Sequence, residues 1–361
     1  MERKNREIFP KRSGPLDLDS RSDFCFVAQS FQKEQSIGAL LRCADAGMAR
    51  EVIIVGRKGL KKKGAVGSTS CVPYRHIHNP RDVIDYLRSS GMSIVAIEKN
   101  DRSISLFDCV YPPKPAFVFG DEIYGVCRDF LEAADLVVEI PMYGMIQSLN
   151  VAVTGAVVMY DYLQKRSREV QIKAGDQLTE KKNEETFPKR RGLLAPSPSL
   201  HSGSRAGLNS RSDFCFVAQS FQKQYNIDTL LRCADAGMAK EIIAVCRRDW
   251  DGKGIVDDTC CVPYRRIYHP YDASVYLKSN GMSIVAIEKN ERSISMFDCV
   301  YPLRPAFVLG NEVYGIYPDF LEAADLVVEI PMYGVIQSLN VSVAGAVIMY
   351  DYLQKRLISE E

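Results

Sequence analysis

The 361-residue chain has a formal net charge of +1, with 46% hydrophobic and 25% charged residues, an ordinary globular composition with room for two domains. Near-neutral charge argues against a surface uniformly coated for nucleic acid, although a local basic patch is compatible with it. No apolar run approaches bilayer length, and the opening "MERKNREIFPKRSG" lacks the apolar core of a secretory signal, so the expectation is an intracellular protein, cytoplasmic first, without membrane contact.

In chain order, "DFCFVAQ" from Asp23 reads as a strand and "IGALLRCADAGM" from Ile37 as a helix with apolar residues at helical spacing. "EVIIVG" from Glu51 is a buried strand and "PRDVIDYLRSSG" from Pro80 a second helix. There follow strands in "MSIVAIEK" and "PAFVFG", a short helix "DFLEAAD", the strand "LVVEIPM", and a long helix "SLNVAVTGAVVMYDYLQKR" ending at Arg166. This alternation predicts an α/β fold with an open, mostly parallel sheet covered on both faces, and ligands at the carboxyl ends of its strands.

The same unit then recurs. "SRSDFCFVAQSFQK" begins at Ser20 and at Ser210, "LLRCADAGMA" at Leu40 and Leu230, and "FLEAADLVVEIPMYG" at Phe130 and Phe320, each offset by 190 residues. A constant offset means a tandem duplication without insertion or deletion across the unit. We expect copy 1 over residues 1–166 with its core at 20–166, and copy 2 over 210–361 with its core at 210–356. Residues 167–209, charged and then rich in Pro, Ser and Gly, read as a flexible linker.

The 11 cysteines include no CxxC pair and the four histidines do not join them at ligand spacing, so buried reduced thiols are expected rather than a metal site or disulfides. Neither GxGxxG nor GxxxxGK[ST] occurs, which removes the two commonest phosphate-cradling loops. "VGRKGLKKKGAVG" in copy 1 is basic but lacks their spacing.

The ordered set "IGALLRCADA", "FVFGDEIYG" and "IPMYGMIQSLNVAV" resembles the three motifs of the SpoU (TrmH) branch of the SPOUT methyltransferases, over nearly all of each copy. The resemblance implies a C-terminal trefoil knot, S-adenosylmethionine bound by the knot loops, and methyl transfer to a ribose 2′-hydroxyl of RNA. It places cofactor contacts at Gly120, Ile140 and Leu149 in copy 1 and Gly310, Ile330 and Leu339 in copy 2. The reactive set falls on Arg42, Glu122, Ser148 and Asn150, and on Asn226, Arg232, Glu312, Ser338 and Asn340. Taken without the family, an Arg in an apolar helix is equally a buried ion-pair partner, and Ser148 a cap for the last helix.

Family members generally act as homodimers with sites near the subunit interface, so the duplication implies an internal pseudo-dimer; whether fused chains pair further is open. Six residues before the motif Arg the family expects Asn, which copy 2 supplies as Asn226 and copy 1 replaces with Ser36. A hydroxyl cannot offer both the donor and the acceptor of an amide in one place. The basic loop differs the other way, with Arg57, Lys58, Lys61, Lys62 and Lys63 in copy 1 against a loop interrupted by aspartates in copy 2. The expectation is therefore RNA docking by copy 1 and a better-kept Asn226/Arg232 pair in copy 2. The third motif looks most like members that methylate a D-loop guanosine of tRNA, with rRNA methylation, or RNA binding without catalysis, as alternatives.

Overall fold

The computed structural model describes residues 21–29, 34–56, 72–121, 124–179, 211–221, 223–246 and 262–359. In copy 1 the chain runs β1 (Cys25–Gln29), α1 (Glu34–Ala46), β2 (Val52–Val55), β3 (Tyr74–Ile77), α2 (Pro80–Ser89), β4 (Ser93–Ile97), β5 (Ile104–Ser105), β6 (Pro115–Phe119), α3 (Arg128–Ala133), β7 (Leu136–Glu139) and α4 (Val151–Thr179). Copy 2 repeats the series as β8 (Cys215–Gln219), α5 (Gln224–Ala236), β9 (Ile242–Val245), β10 (Tyr264–Ile267), α6 (Pro270–Ser279), β11 (Ser283–Ile287), β12 (Ile294–Ser295), β13 (Pro305–Leu309), α7 (Pro318–Ala323), β14 (Leu326–Glu329) and α8 (Val341–Ser359).

Each copy forms a seven-stranded sheet, in the orders β3-β2-β1-β6-β4-β7-β5 and β10-β9-β8-β13-β11-β14-β12. Every ladder between the described strands is parallel. The central strands are apolar without interruption because both faces are covered. In β1, Cys25 and Val27 turn toward Val83 and Leu87 of α2 and Phe130 of α3. Phe26 and Ala28 turn instead toward Leu40 and Leu41 of α1 and Val157 and Met159 of α4.

That second layer does not stop at the boundary of copy 1. Ala156, Val157, Met159 and Tyr160 of α4 share one apolar cluster with Ala346, Val347, Met349 and Tyr350 of α8. At the helix crossing lies a reciprocal polar set. Gln164 donates to Asp351 (2.8 Å) and Gln354 to Asp161 (2.9 Å), while Tyr160 donates to the Pro331 carbonyl (2.8 Å) and Tyr350 to that of Pro141 (2.9 Å). Asp161 also accepts from Tyr111 and faces Lys165 at 2.9 Å. Burial outweighs these partners and pushes the Asp161 and Asp351 carboxyls above the usual carboxylate range.

Two boundaries differ from the sequence reading. Helix α4 continues to Thr179, beyond the 166 limit, because Arg, Glu, Gln, Lys and Ala in this charged stretch are good helix formers. High charge marks exposure and does not exclude helix; the remainder of the expected linker, 180–209, lies outside the described residues. At its start the helix is capped by Asn150 rather than Ser148, the Asn side chain accepting from the Ala152 amide at 2.9 Å. Asn340 caps α8 in the same way, through the Ser342 amide at 3.0 Å. No helix among the described residues is long and apolar enough to cross a membrane.

Candidate active site

Strands β6, β4 and β7 are neighbours in the sheet, and their carboxyl ends open into one cavity of about 650 Å³. Gly120 follows β6, and Asp121 and Gly125 bridge through paired backbone hydrogen bonds of 2.9 and 3.0 Å. The crossing needs glycine, since a Cβ on Gly120 would lie 2.1 Å from the Gly125 carbonyl carbon. Glu98, just past β4, fixes the far side of the loop by accepting from the Val126 amide at 2.8 Å. Gly120, Ile140, Ser148, Leu149 and Asn150 line the cavity together. Glu122 lies outside the described residues.

Copy 2 builds the same loop around Gly310, where a Cβ would lie 2.5 Å from the Gly315 carbonyl carbon. Ile330 and Leu339 are half-buried against the shared core. Here Asn226, 1% exposed, uses both ends of its amide, donating to Glu312 at 2.6 Å and accepting from Asn340 at 2.8 Å. Thus Glu312, Asn226 and Asn340 form one hydrogen-bonded chain. In copy 1, with Ser36 at the Asn226 position, the Asn150 amide instead donates to the Tyr225 hydroxyl of copy 2, at 2.8 Å.

The arginines cross over. Arg232, with Tyr225, Asp228 and Thr229 of α5, forms a wall of the cavity that holds Gly120, Ile140 and Ser148 of copy 1. Reciprocally, Arg42 of α1 donates to the Ser338 carbonyl of copy 2 at 3.3 Å. Asn226 and Arg232 therefore face different loops, Asn226 that of its own copy and Arg232 that of copy 1. Six residues advance a helix by about 600°, which turns the two side chains to different faces, one toward its own loop and one toward the other copy.

The loops before α4 and α8 are clamped across the copies. The Tyr143 amide donates to Ala236 and that of Tyr333 to Ala46, both at 2.8 Å, and the buried carboxylates Asp235 and Asp45 accept from the Ile146 and Ile336 amides at 2.9 and 2.7 Å. Gly144 and Gly334 permit the approach, because a Cβ on either would lie 2.1 or 2.0 Å from the carbonyl oxygen of Asp235 or Asp45. These clamps, with Tyr225 and Glu98, are residues the motif reading missed. Their signal is faint: the Asp and the Glu recur in both copies, whereas Tyr225 replaces Gln35 in only one.

Burial pushes the Cys43 and Cys233 thiols, each next to a motif Arg, up to about 12, so neither is a nucleophile near neutrality. Among the described residues no group of His, Cys, Asp and Glu could hold a metal. Arg57, Lys58, Lys61, Lys62 and Lys63 lie outside the described residues.

A model of the SpoU rRNA Methylase family matches residues 23–160 and again 213–350, more than half of the chain. The chain belongs to this family. Among curated relatives, it is 35% identical over 150 residues to a tRNA (guanosine(18)-2′-O)-methyltransferase of Borreliella burgdorferi, covering 40% of this chain and 69% of that one. It is 30% identical over 147 residues to the Escherichia coli enzyme of the same name, covering 40% of this chain and 64% of that one. The match thus spans about two thirds of these relatives. A 23S rRNA (guanosine-2′-O-)-methyltransferase from Burkholderia is 35% identical over 136 residues, covering 36% of this chain and 55% of that one. Among solved structures, the A. aeolicus TrmH/SpoU tRNA modifying enzyme aligns with a TM-score of 0.39 and 27% identity over 42% of this chain and 80% of that one. AviRb from Streptomyces viridochromogenes in complex with AdoMet aligns with a TM-score of 0.38 and 25% identity over 42% of this chain and 65% of that one.

S-adenosylmethionine is the cofactor of this family, and the cavity fits it. It has the volume of a small-molecule site, and at Gly120 bare backbone forms its wall, so turn amides and carbonyls can meet an adenine edge without intervening side chains.

Proposed function

We propose that the protein is an S-adenosylmethionine-dependent RNA methyltransferase that acts on a ribose 2′-hydroxyl of tRNA, at a D-loop guanosine, through composite sites made by an internal pseudo-dimer. Family membership supports the reaction, and the tRNA enzymes among the relatives favour tRNA. The observation that carries the composite reading is Arg232 of copy 2 in the wall of the cavity formed by the copy 1 loops.

When bound, S-adenosylmethionine supplies an electrophilic methyl group. Backbone at Gly120, Ile140 and Leu149 would hold it in copy 1, and Gly310, Ile330 and Leu339 in copy 2. The task left to the side chains is to bring the ribose hydroxyl into line and to stabilise its oxygen as the hydroxyl proton passes to water. A guanidinium presents a planar fork of donors and no acceptor, so Arg232 and Arg42 are assigned to hold the adjacent phosphate and to stabilise negative charge developing on the 2′-oxygen. Ser148 and Asn150, or Ser338 and Asn340, then orient the ribose, positioning that by itself accounts for much of the rate. In copy 2 Glu312, bonded to Asn226, fixes the amide that holds Asn340.

The experiment is transfer of label from S-adenosylmethionine into total tRNA and, separately, rRNA by the purified full chain. Label in tRNA, reduced by Arg42→Ala or Arg232→Ala, is expected. Label confined to rRNA would replace tRNA as the substrate, and RNA binding without label in either would turn the reading to an RNA-binding protein.

A further inference from the structure

Copies with the same backbone offer an internal comparison of surface, and one segment stands apart. At β10 and the start of α6, copy 2 carries Arg266, Tyr268, Tyr271 and Val275 where copy 1 has His76, His78, Arg81 and Asp85. Tyr264, Tyr268, Tyr271 and Val275 are 43, 53, 68 and 49% exposed, and the Arg266 guanidinium lies 4.7 Å from the centre of the Tyr268 ring. In copy 1 Tyr74 is likewise exposed and the His76 and His78 rings meet at 4.6 Å, but Arg81 pairs with Asp129 at 3.3 Å. Copy 2 has exchanged that ion pair for an aromatic ring in solvent.

Single exposed apolar residues need no explanation, but several aromatic rings interleaved with stacked arginine in one short segment have the chemistry that grips unpaired nucleotides. Arg265 pairs with Glu241 (3.2 Å) and lies 4.6 Å from the Tyr276 ring, whereas Arg266 lies against the ring of Tyr268. The position is also suited to substrate. Because all strands are parallel, the carboxyl end of β10 lies on the same edge of the sheet as the Gly310 loop after β13. The two are three strands apart, about 14 Å at the usual spacing.

The geometry points to this segment as a stacking platform for single-stranded RNA, Tyr268 and Tyr271 holding unpaired bases of the substrate while a neighbouring nucleotide occupies an active site. This rests on the reading of the protein as an RNA methyltransferase, and it assigns RNA docking to copy 2 as well as to the copy 1 loop.

The test uses the full chain and two RNAs, a fluorescein-labelled single-stranded oligonucleotide of mixed sequence and intact tRNA. Y268A/Y271A is expected to weaken anisotropy-detected binding of the oligonucleotide at least tenfold and to raise KM for tRNA, with kcat within twofold of the parent. Y268W/Y271W, which keeps the rings, should bind within threefold of the parent. Unchanged oligonucleotide affinity in Y268A/Y271A overturns the proposal; if that variant also loses a self-association that the parent shows by sedimentation, the surface belongs to a second copy of the chain. A parent that binds the oligonucleotide through these tyrosines yet transfers no methyl group would sink the enzymatic reading and leave the platform standing.

Discussion

Asp45→Ala should be among the most damaging single substitutions outside the motif loops. The carboxylate is fully buried, accepts from the Ile336 amide of the other copy at 2.7 Å, and lies 4.0 Å from the Arg21 guanidinium, whose side chain is 1% exposed. Removing it strands a buried N–H, at about 1–3 kcal/mol, and takes a negative charge from beside the buried Arg21 guanidinium, which also donates to the Ala49 carbonyl. A loss of about 2–3 kcal/mol is expected, against a total of roughly 5–15 kcal/mol for a typical protein. Asp45→Asn keeps an acceptor for Ile336 and should cost about 1–2 kcal/mol less, since it gives up the charge but not the hydrogen bond. Urea unfolding followed by circular dichroism measures both. Ile336 lies two residues before Ser338, so the copy 2 loop should also lose its alignment with Arg42, and methyl transfer from that site should fall in step. A D45A protein within 0.5 kcal/mol of the parent, with unchanged urea dependence, would refute the clamp.

Tyr225→Phe removes the hydroxyl that accepts from Asn150 and should lower kcat at the copy 1 site about tenfold, with KM for S-adenosylmethionine little changed; adding Ser36→Asn, the copy 2 solution, should restore most of it in a single-turnover assay. Burial raises the Asp161 and Asp351 carboxyls, so above the unfolded value near 4 the native state binds the extra protons and stability falls as pH rises toward the raised value. The stability of the parent relative to D161N/D351N should therefore decline from pH 4 to pH 7 in urea melts; a difference that grows with pH contradicts this. Iodoacetamide on the native protein should leave the buried Cys25, Cys43, Cys109, Cys215, Cys233 and Cys299 unmodified by peptide mass spectrometry, and rapid labelling of Cys43 would contradict its raised thiol.

The α/β alternation was legible because strands such as β1 and β6 are buried on both faces and read as unbroken apolar runs. Strand β3, with the sequence "YRHI", was not: it lies at the sheet edge, exposed or half-buried, and has no apolar period to find. β5 has only two residues, too short for any pattern. At the site, the grouping of Gly120, Ile140, Leu149 and Asn150 around one cavity was recognisable through the family motifs alone, since their identities resemble core and cap residues. The value of Asn226 over Ser36 was readable from amide chemistry, and the structure shows the amide using both its donor and its acceptor. Which cavity Arg232 enters was not readable, because that depends on how α4 and α8 dock the copies. Local periodicity carries no information about the docking of two helices 190 residues apart.

The central claim is that each site takes its Arg from one copy and its loop from the other, and paired substitutions test it directly. Single-turnover methyl transfer would be measured for R42A, R232A, N150A and N340A and for the doubles R42A/N340A and R42A/N150A. R42A/N340A should be no worse than the weaker of its two singles, because both residues serve one site. R42A/N150A should then lose the activity of both sites. The reverse pattern, with R42A and N150A non-additive and R42A/N340A fully inactive, would mean that each copy uses its own arginine and would contradict the composite site.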